Sequence, residues 1–161
     1  MDKELNSSIQ TFINNQLGVE NPIGLSPFGN WLGGKLISFD NGKLIKEYGI
    51  RYEMTNAIGT LHGGVIASML DEIIGATVIS MGFSTFKTTI NLVVDYFYPV
   101  YEGQTILATA RILKEGQKIT HLEGELYFRD NNKLIARAIT NMFTTEIPVD
   151  LSKLNILKSS S

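Results

Sequence analysis

The chain has 161 residues, 43% of them apolar, which is enough for one domain with its own hydrophobic core. Its 14 basic and 16 acidic residues give a net charge of −2, which argues against a broad nucleic-acid surface. The absence of cysteine excludes disulfides and cysteine-ligated metals. The N-terminus has no apolar signal core, and no run reaches the ~18 apolar residues of a membrane span. We therefore expect a soluble, cytoplasmic protein without nucleic-acid or membrane partners.

The first 20 residues carry apolar side chains at helical spacing, namely Leu5, Ile9, Phe12, Ile13 and Leu17. This pattern predicts an amphipathic helix that packs on the domain, and Gly18 can end it. Its polar face has Asn, Ser and Gln rather than Lys and Arg, which disfavours a membrane-surface helix. Residues 21–34 are rich in Pro and Gly and predict a loop. Two large aromatic residues in that loop, Phe28 and Trp31, need apolar surroundings.

Six segments have the composition of strands: 35–39, 43–50, 88–98, 105–114, 119–129 and 134–145. An Asn-Gly pair at 41–42 predicts a hairpin between the first two. The last four have three short connections, which predicts an antiparallel meander. With one long helix between the second and third strands, the predicted class is α+β: a curved antiparallel sheet of about five to six strands wrapped around one central helix, over residues 21–146. Residues 147–161 are expected to form a flexible tail.

The central helix, predicted over 63–81, is apolar on almost every side but has two adjacent acids in its middle, Asp71 and Glu72. At 100° per residue, Asp71 lies on a stripe of small residues and Glu72 lies a quarter turn away. Within ~40° of Asp71 are Gly64, Ala67, Gly75 and Val78. Solvation of both acids is one interpretation. Because the polar residues form no consistent face, we expect at least one acid to be nearly buried, where its pKa rises toward that of a general base.

This helix begins at His62-Gly63-Gly64. The first turn of a helix has N–H groups without intrahelical acceptors, and glycine lets a ligand approach them closely. The helix dipole adds positive potential, so such a site can bind a phosphate, a carboxylate or a developing oxyanion. The phosphate interpretation is disfavoured because the chain has neither a Walker lysine nor a G-x-G-x-x-G motif.

Gly63 and Asp71 are separated by about 12 Å along one helix. A carbonyl and its attacking group need contacts of about 3 Å, so one helix cannot supply both groups to one centre. Two antiparallel copies can, and the small residues around Asp71 permit their approach. If both groups act on one reaction, the spacing predicts a two-fold homodimer with two equivalent sites at its interface.

Residues 56–64, which read NAIGTLHGG, and Asp71 nine positions after His62 resemble the hotdog-fold thioesterases of the PaaI-like, acyl-CoA thioesterase 13-like branch. Downstream, TTINL at 88–92 and YFYP at 96–99, followed by Gly103, are similar to that family's next strand without a gap. The resemblance runs from about residue 30 to residue 146. It implies hydrolysis of an acyl-CoA thioester without a cofactor, since CoA is part of the substrate, and no metal site.

The resemblance also implies roles for individual residues. Asp71 would be the nucleophile or the general base toward water, and the Gly63 N–H would polarise the thioester carbonyl. Asn56 and His62 would orient the thioester and its leaving sulfur, and Thr89 would position the attacking water. Gly64 and Glu72 are expected at the substrate-binding site, since other branches of the fold use a glutamate on this helix. Homodimers with shared sites are implied, and tetramers are common in the family.

Three alternatives were weighed against hydrolysis. A non-catalytic protein that binds acyl-CoA or an acyl carrier protein remains open, although it has no need of an acid beside the thioester. An acyl-CoA-sensing repressor needs an appended DNA-binding segment, and the residues before the loop are too few and not basic. A hotdog dehydratase needs an Asp a few residues before a His, which the sequence lacks. Lys87, Arg111, Lys114, Lys118 and Arg137 are cations that could meet CoA phosphates, and none is singled out.

Overall fold

The computed structural model describes residues 3–19, 26–40 and 42–150. The helices are α1 (Lys3–Gln16), α2 (Pro27–Leu32) and α3 (Gly63–Ser80), and a single 3-10 turn spans Tyr52–Met54. The strands are β1 (Lys35–Asp40), β2 (Lys43–Gly49), β3 (Thr85–Tyr96), β4 (Thr105–Glu115), β5 (Ile119–Phe128) and β6 (Leu134–Pro148). The predicted class, strand number and central helix are confirmed. β6 also includes residues 147–148 of the predicted tail, and residues 151–161 lie outside those described.

All six strands pair antiparallel in the order β1-β2-β4-β5-β6-β3. The predicted hairpin between β1 and β2 is present, with Asp40 opposite Lys43 and Gly42 at φ 74°; Asn41 lies outside the described residues. The predicted four-stranded meander is wrong in one respect. Only β4, β5 and β6 form one, because β4 pairs with β2 and the connection from β3 carries the chain to the opposite side of the sheet.

Helix α3 lies in the concave face of this sheet, which explains its apolar sequence. Eight of its residues are buried: Ile66, Met69, Leu70, Ile73, Ile74, Thr77, Val78 and Ser80. It packs tightly on Gly124 of β5, where a Cβ atom would lie 3.0 Å from Ile74 Cδ1 and 3.3 Å from Leu70 Cδ2. By length and hydropathy alone α3 could also cross a membrane. Its packing against the strands identifies it as the core helix of the domain.

The N-terminal segment covers one end of the domain. Helix α1 buries Ile9, Phe12 and Ile13, and the chain turns at Gly18 with φ 74°, as predicted. The prediction of a loop over 21–34 is wrong for Pro27–Leu32, which form α2. Ser26 caps that helix by accepting a hydrogen bond from the Gly29 N–H at 2.8 Å, and a proline at the first position is compatible with a helix start.

On the outer face of the sheet, Glu123 is only 1% exposed although the strand pattern puts it on the polar side. Its carboxylate accepts hydrogen bonds from Arg111, at 2.6 and 2.8 Å, and from Arg137. Two of the cations considered for CoA phosphates therefore have a structural partner. His121 is exposed, as its strand face predicts. Asp95, which lies within the apolar run of β3, is also exposed.

Candidate active site

The segment that leads into α3 is held in place by backbone hydrogen bonds. The Leu61 N–H donates to the Val100 carbonyl at 2.7 Å, and the His62 N–H donates to the Met54 carbonyl at 2.9 Å. Isolated bridges pair Thr55 with Leu61 and Thr60 with Tyr101. The start of α3 is thus fixed from two sides before any ligand arrives.

His62 is the N-cap of α3, and its side chain has a definite orientation. Its Nδ1 accepts a hydrogen bond from the Gly64 N–H at 2.9 Å. A ring nitrogen that accepts carries no proton, so the neutral imidazole is protonated at Nε2 and can donate from that atom. The Gly64 N–H, predicted to face substrate, is occupied by this cap. Within the described part of the chain no acceptor is found for the Gly63 N–H.

Tyr96 closes one side of the helix start. Its hydroxyl donates to the Gly63 carbonyl at 3.2 Å, and a Cβ on Gly63 would lie 3.6 Å from the ring. Tyr96 was not among the predicted site residues. Alternation along β3 was the available signal, because Leu92, Val94 and Tyr96 fall on one face of that strand. The Gly63 amide is therefore bordered by His62 and by an aromatic ring.

Asn56 shapes the loop before α3. Its Oδ1 accepts from the N–H groups of Ile58 and Thr60, both at 3.1 Å, and its Nδ2 donates to the Thr60 hydroxyl at 2.8 Å. These bonds satisfy the oxygen with the loop itself, as in an Asx turn. The second N–H of the Asn56 side-chain amide has no partner among the described residues. The predicted contact between Asn56 and a substrate is therefore a prediction for this N–H alone.

Asp71 is exposed on the single chain, and its carboxylate has one side-chain partner among the described residues. The Thr89 hydroxyl on β3 donates to Asp71 Oδ1 at 3.0 Å. Two residues 18 positions apart, both predicted at the site, are thus brought together. On the next turn, Gly75 has open space where a Cβ would stand. This side of α3 combines a carboxylate, an oriented hydroxyl and room for another group.

Glu72 points to a different neighbourhood from Asp71. Its carboxylate accepts from the Ser26 hydroxyl, with both oxygens at 3.2 Å, and a Cβ on Gly29 would lie 2.1 Å from Oε1. Partial burial raises the pKa of Glu72, while Lys46 and the Ser26 hydrogen bond oppose that rise. The expectation that one acid is nearly buried with a raised pKa is met in part by the half-buried Glu72, and not by Asp71.

Tyr48 and Lys46 of β2 complete the surroundings of Glu72. Burial, followed by the charge of Glu72, raises the pKa of Tyr48, whose hydroxyl has no hydrogen-bond partner among the described groups. Burial lowers the pKa of Lys46, and the charge of Glu72 opposes it. Glu72 therefore ties α2 to the sheet and to α3, and it does not share a hydrogen-bond partner with Asp71.

Three aromatic residues, Phe28, Trp31 and Phe83, lie in different surroundings. Phe28 and Trp31 stack on each other on the surface of α2, with ring centroids 5.8 Å apart. Phe83 instead lines an apolar cavity beside Gly75. Only Phe83 of the three lies on the Asp71 side of the helix.

A six-stranded antiparallel sheet curled around one long helix, with a carboxylate in mid-helix, defines the hotdog fold. Residues 58–135 match the family model of the thioesterase superfamily. Human acyl-coenzyme A thioesterase 13 is 33% identical over 102 residues, which make up 63% of this chain and 73% of that protein. The chain belongs to the thioesterase superfamily, as the resemblance implied, and is a thioesterase.

Solved structures agree with this assignment. Zebrafish thioesterase superfamily member 2 has a TM-score of 0.70 at 26% identity, over 88% of this chain and 98% of that one. The E. coli PaaI protein from the phenylacetic acid degradation operon has a TM-score of 0.73 at 17% identity, over 91% of this chain and 99% of that one. At that identity the second comparison supports the fold alone.

Proposed function

We propose that this protein hydrolyses acyl-CoA thioesters to the free acid and CoA. The substrate class follows from the relatives named acyl-coenzyme A thioesterase 13, from human at 33% identity and from mouse at 31%. The observation that carries the chemistry is the exposed Asp71 carboxylate oriented by Thr89, on the side of α3 that is open at Gly75. The reaction needs water as its co-reactant and no cofactor, because CoA is part of the substrate.

In the proposed mechanism, the Gly63 N–H donates to the thioester oxygen and stabilises the oxyanion that develops there. Its position at the start of an 18-residue helix adds the dipole's positive potential. Asp71 either attacks the carbonyl to give an acyl-enzyme anhydride that water then hydrolyses, or takes a proton from the attacking water. In both routes the C–S bond breaks and the thiolate of CoA leaves. The Nε2–H of His62 would donate to that sulfur, while the Thr89 hydroxyl orients the Asp71 carboxylate.

We also propose that each site combines the Gly63 amide of one protomer with Asp71 of its partner in a homodimer. The two groups are about 12 Å apart along one helix, too far to act on one carbonyl. Strand β3, which carries Thr89, is the edge of the sheet and exposes Ile90, Val93 and Tyr96 by 56%, 58% and 52%. Exposed apolar edge strands are suited to pairing with another chain. A dimer of dimers remains compatible with this arrangement.

The alternative function is non-catalytic binding of acyl-CoA or of an acyl carrier protein. The orientation of Asp71 by Thr89 favours hydrolysis, because a binder gains nothing from a carboxylate next to the thioester. A release assay for free CoA across short, medium, long and aromatic acyl-CoAs separates the two. Turnover of at least one thioester supports the enzyme. Binding without release of CoA from any of them supports the binder.

The shared site has its own test in mixed dimers. One protomer carries Asp71→Asn, and the other carries Gly63→Phe, which blocks the start of α3 against the Tyr96 ring. In a mixed dimer one site holds both substitutions and the other holds neither, so an equal random mixture should recover about a quarter of wild-type activity. Verified mixed dimers without any recovery would contradict the two-chain site and leave the hydrolysis itself intact.

A further inference from the structure

A small apolar cavity lies one helical turn beyond Asp71. It has a volume of about 60 Å³, and its walls come from α3 and from the start of β3. Gly75 and Ile79 form the helix side, and Phe83 and Phe86 face them. Most of this lining is apolar, which suits the hydrocarbon part of an acyl group. Lys87 is the one charged residue that the structure describes in this mostly apolar lining.

The walls of the cavity come from α3 and β3, the two elements that also carry Asp71 and Thr89. On α3, Gly75 follows Asp71 by four residues, or about 6 Å. On β3, Lys87 precedes Thr89 by two residues, or about 6.6 Å, and alternation puts both on the face toward α3. An acyl group whose carbonyl lies at Asp71 can therefore extend between Gly75 and β3 until it reaches Lys87.

The ammonium group of Lys87 is held at this position by neutral neighbours. Its Nζ donates to the Thr144 hydroxyl at 2.9 Å and lies 4.2 Å from the centroid of the Phe83 ring. The ion pairs between described residues do not include Lys87. Burial lowers the pKa of Lys87, and the charge of Glu115 opposes this only in part. A lysine has three N–H donors, so two are available to a ligand.

We propose that Lys87 determines substrate specificity by binding a carboxylate at the far end of the acyl chain, so that the preferred substrates are CoA thioesters of short dicarboxylic acids. The inference rests on the proposed hydrolysis of acyl-CoA at Asp71. An ion pair between this ammonium and a carboxylate would form where apolar walls limit screening by water. An unsubstituted alkyl chain would instead leave the charge of Lys87 facing a methyl group.

The Cα spacing of Thr89 and Lys87 along β3 guides the choice of acyl chain for a test. An extended backbone covers about 3.3 Å per residue with three bonds, so the ~6.6 Å between Thr89 and Lys87 corresponds to about six bonds. A six-carbon dicarboxylic acid has its second carboxylate close to this distance from the thioester carbonyl. Adipyl-CoA and hexanoyl-CoA are therefore a matched pair of probes, because they have equal carbon numbers and differ in the terminal group.

The test compares kcat/KM for these two thioesters in the wild type and in Lys87→Met. We expect the wild type to prefer adipyl-CoA and Lys87→Met to lose about 10- to 100-fold in kcat/KM for it, mainly through KM. Activity on hexanoyl-CoA should stay the same or rise. Lys87→Arg should restore part of the preference because it keeps the charge. Lys43→Met, which removes an exposed lysine at the start of β2, is the matched control and should change neither value.

A binding measurement keeps the inference separate from the proposed chemistry. The Asp71→Asn protein, whose folding is checked by thermal unfolding, is titrated with both thioesters by calorimetry, with and without Lys87→Met. Tighter binding of adipyl-CoA that disappears in the double variant supports the role of Lys87, whether or not the wild type hydrolyses either compound. Equal affinities, or an equal loss for both thioesters on removal of Lys87, overturn it. Failure of the wild type to release CoA from any thioester counts against the hydrolysis and not against Lys87.

Discussion

Asp71 and Glu72 are adjacent in the chain, carry the same charge and lie on the same helix, yet their surroundings differ. Asp71 is exposed, with a hydrogen bond from the Thr89 hydroxyl and open space one turn away at Gly75. Glu72 is half-buried against α2, with a hydrogen bond from the Ser26 hydroxyl and the charge of Lys46 nearby. On the Asp71 side, α3 has open space for a ligand. On the Glu72 side, the protein's own residues fill the corresponding space.

The hydrogen-bond donor to each carboxylate therefore indicates the role of that carboxylate better than the position of the acid in the sequence does. Each acid accepts a hydrogen bond from one hydroxyl side chain. Thr89 belongs to an exposed edge strand, whereas Ser26 is committed to capping a helix. Substitutions on the Asp71 side should therefore change activity with little effect on stability, and substitutions on the Glu72 side should do the reverse.

The largest expected effect is that of Asp71→Asn. The amide keeps the shape of the side chain but can neither attack the thioester nor accept a proton, so kcat should fall by about 10²- to 10⁴-fold. Thermal unfolding should be close to that of the wild type, because Asp71 is exposed. Glu72→Gln serves as the matched control and should keep kcat within a few-fold. The reverse ranking would assign the chemistry to Glu72.

Thr89→Val should have the next largest effect. It removes the hydroxyl that orients Asp71 but keeps the size of the side chain and its preference for a strand. We expect kcat to fall by about tenfold, as for loss of a hydrogen bond to a charged group, with KM unchanged. Steady-state kinetics measures both, and Thr89→Ser should retain most of the activity. A fall of the same size in Thr89→Ser would show that packing and not the hydroxyl matters.

Ser26→Ala examines the corresponding hydroxyl on the other side of α3. The substitution removes the N-cap of α2 and the hydrogen bond to Glu72, and should cost about 1 kcal/mol in the free energy of unfolding. Urea denaturation measures this loss, and kcat should remain within a factor of two. A large drop in kcat without loss of stability would place Ser26 and Glu72 in the active site.

The smallest effect expected is the pH dependence of stability at Glu72. Burial raises the pKa of Glu72 in the folded protein, so protonated Glu72 adds to the free energy of unfolding at low pH. This contribution is lost as the pH rises through the pKa that Glu72 has in the folded protein. Glu72→Gln cannot ionise, so its stability should improve relative to the wild type between about pH 4, near the pKa of glutamate in unfolded chains, and pH 7. Urea denaturation at several pH values follows this difference. A difference that stays constant, or has the opposite slope, rules out the assigned cause.

The sequence was informative where the signals are local. The apolar residues and the glycines at its start located α3, and the Asn-Gly pair located the first hairpin. The spacing between His62 and Asp71 indicated the family. Through that resemblance Thr89 and Asp71 were both predicted at the site, and the structure brings the Thr89 hydroxyl within 3.0 Å of Asp71 Oδ1.

The features that the sequence did not reveal depend on contacts between distant segments. The edge position of β3 is determined by pairing with β6, for which no local pattern exists. The partner of Glu72 comes from 46 residues upstream, inside a segment that its Pro and Gly content marked as a loop. Ser26 followed by Pro27 was a cap signal present in that segment. The hydrogen bond from the Gly64 N–H to His62 Nδ1 was also not predicted, because a histidine that caps its own helix is not evident from the sequence.

The pairing of β3 with β6 has a consequence for how activity arises during synthesis. Thr89 lies on a strand whose hydrogen-bonding neighbour is among the last parts of the domain to leave the ribosome, with Asn91 bonded to Asn141 across 50 residues. Until then β3 has no partner within the chain, and such long-range pairing forms slowly. A nascent chain that ends before β6 can contain Asp71, His62 and Thr89 and still lack the geometry that orients them. The orientation of Asp71 by Thr89 is therefore acquired only after β6 has emerged and paired with β3, and not when α3 emerges.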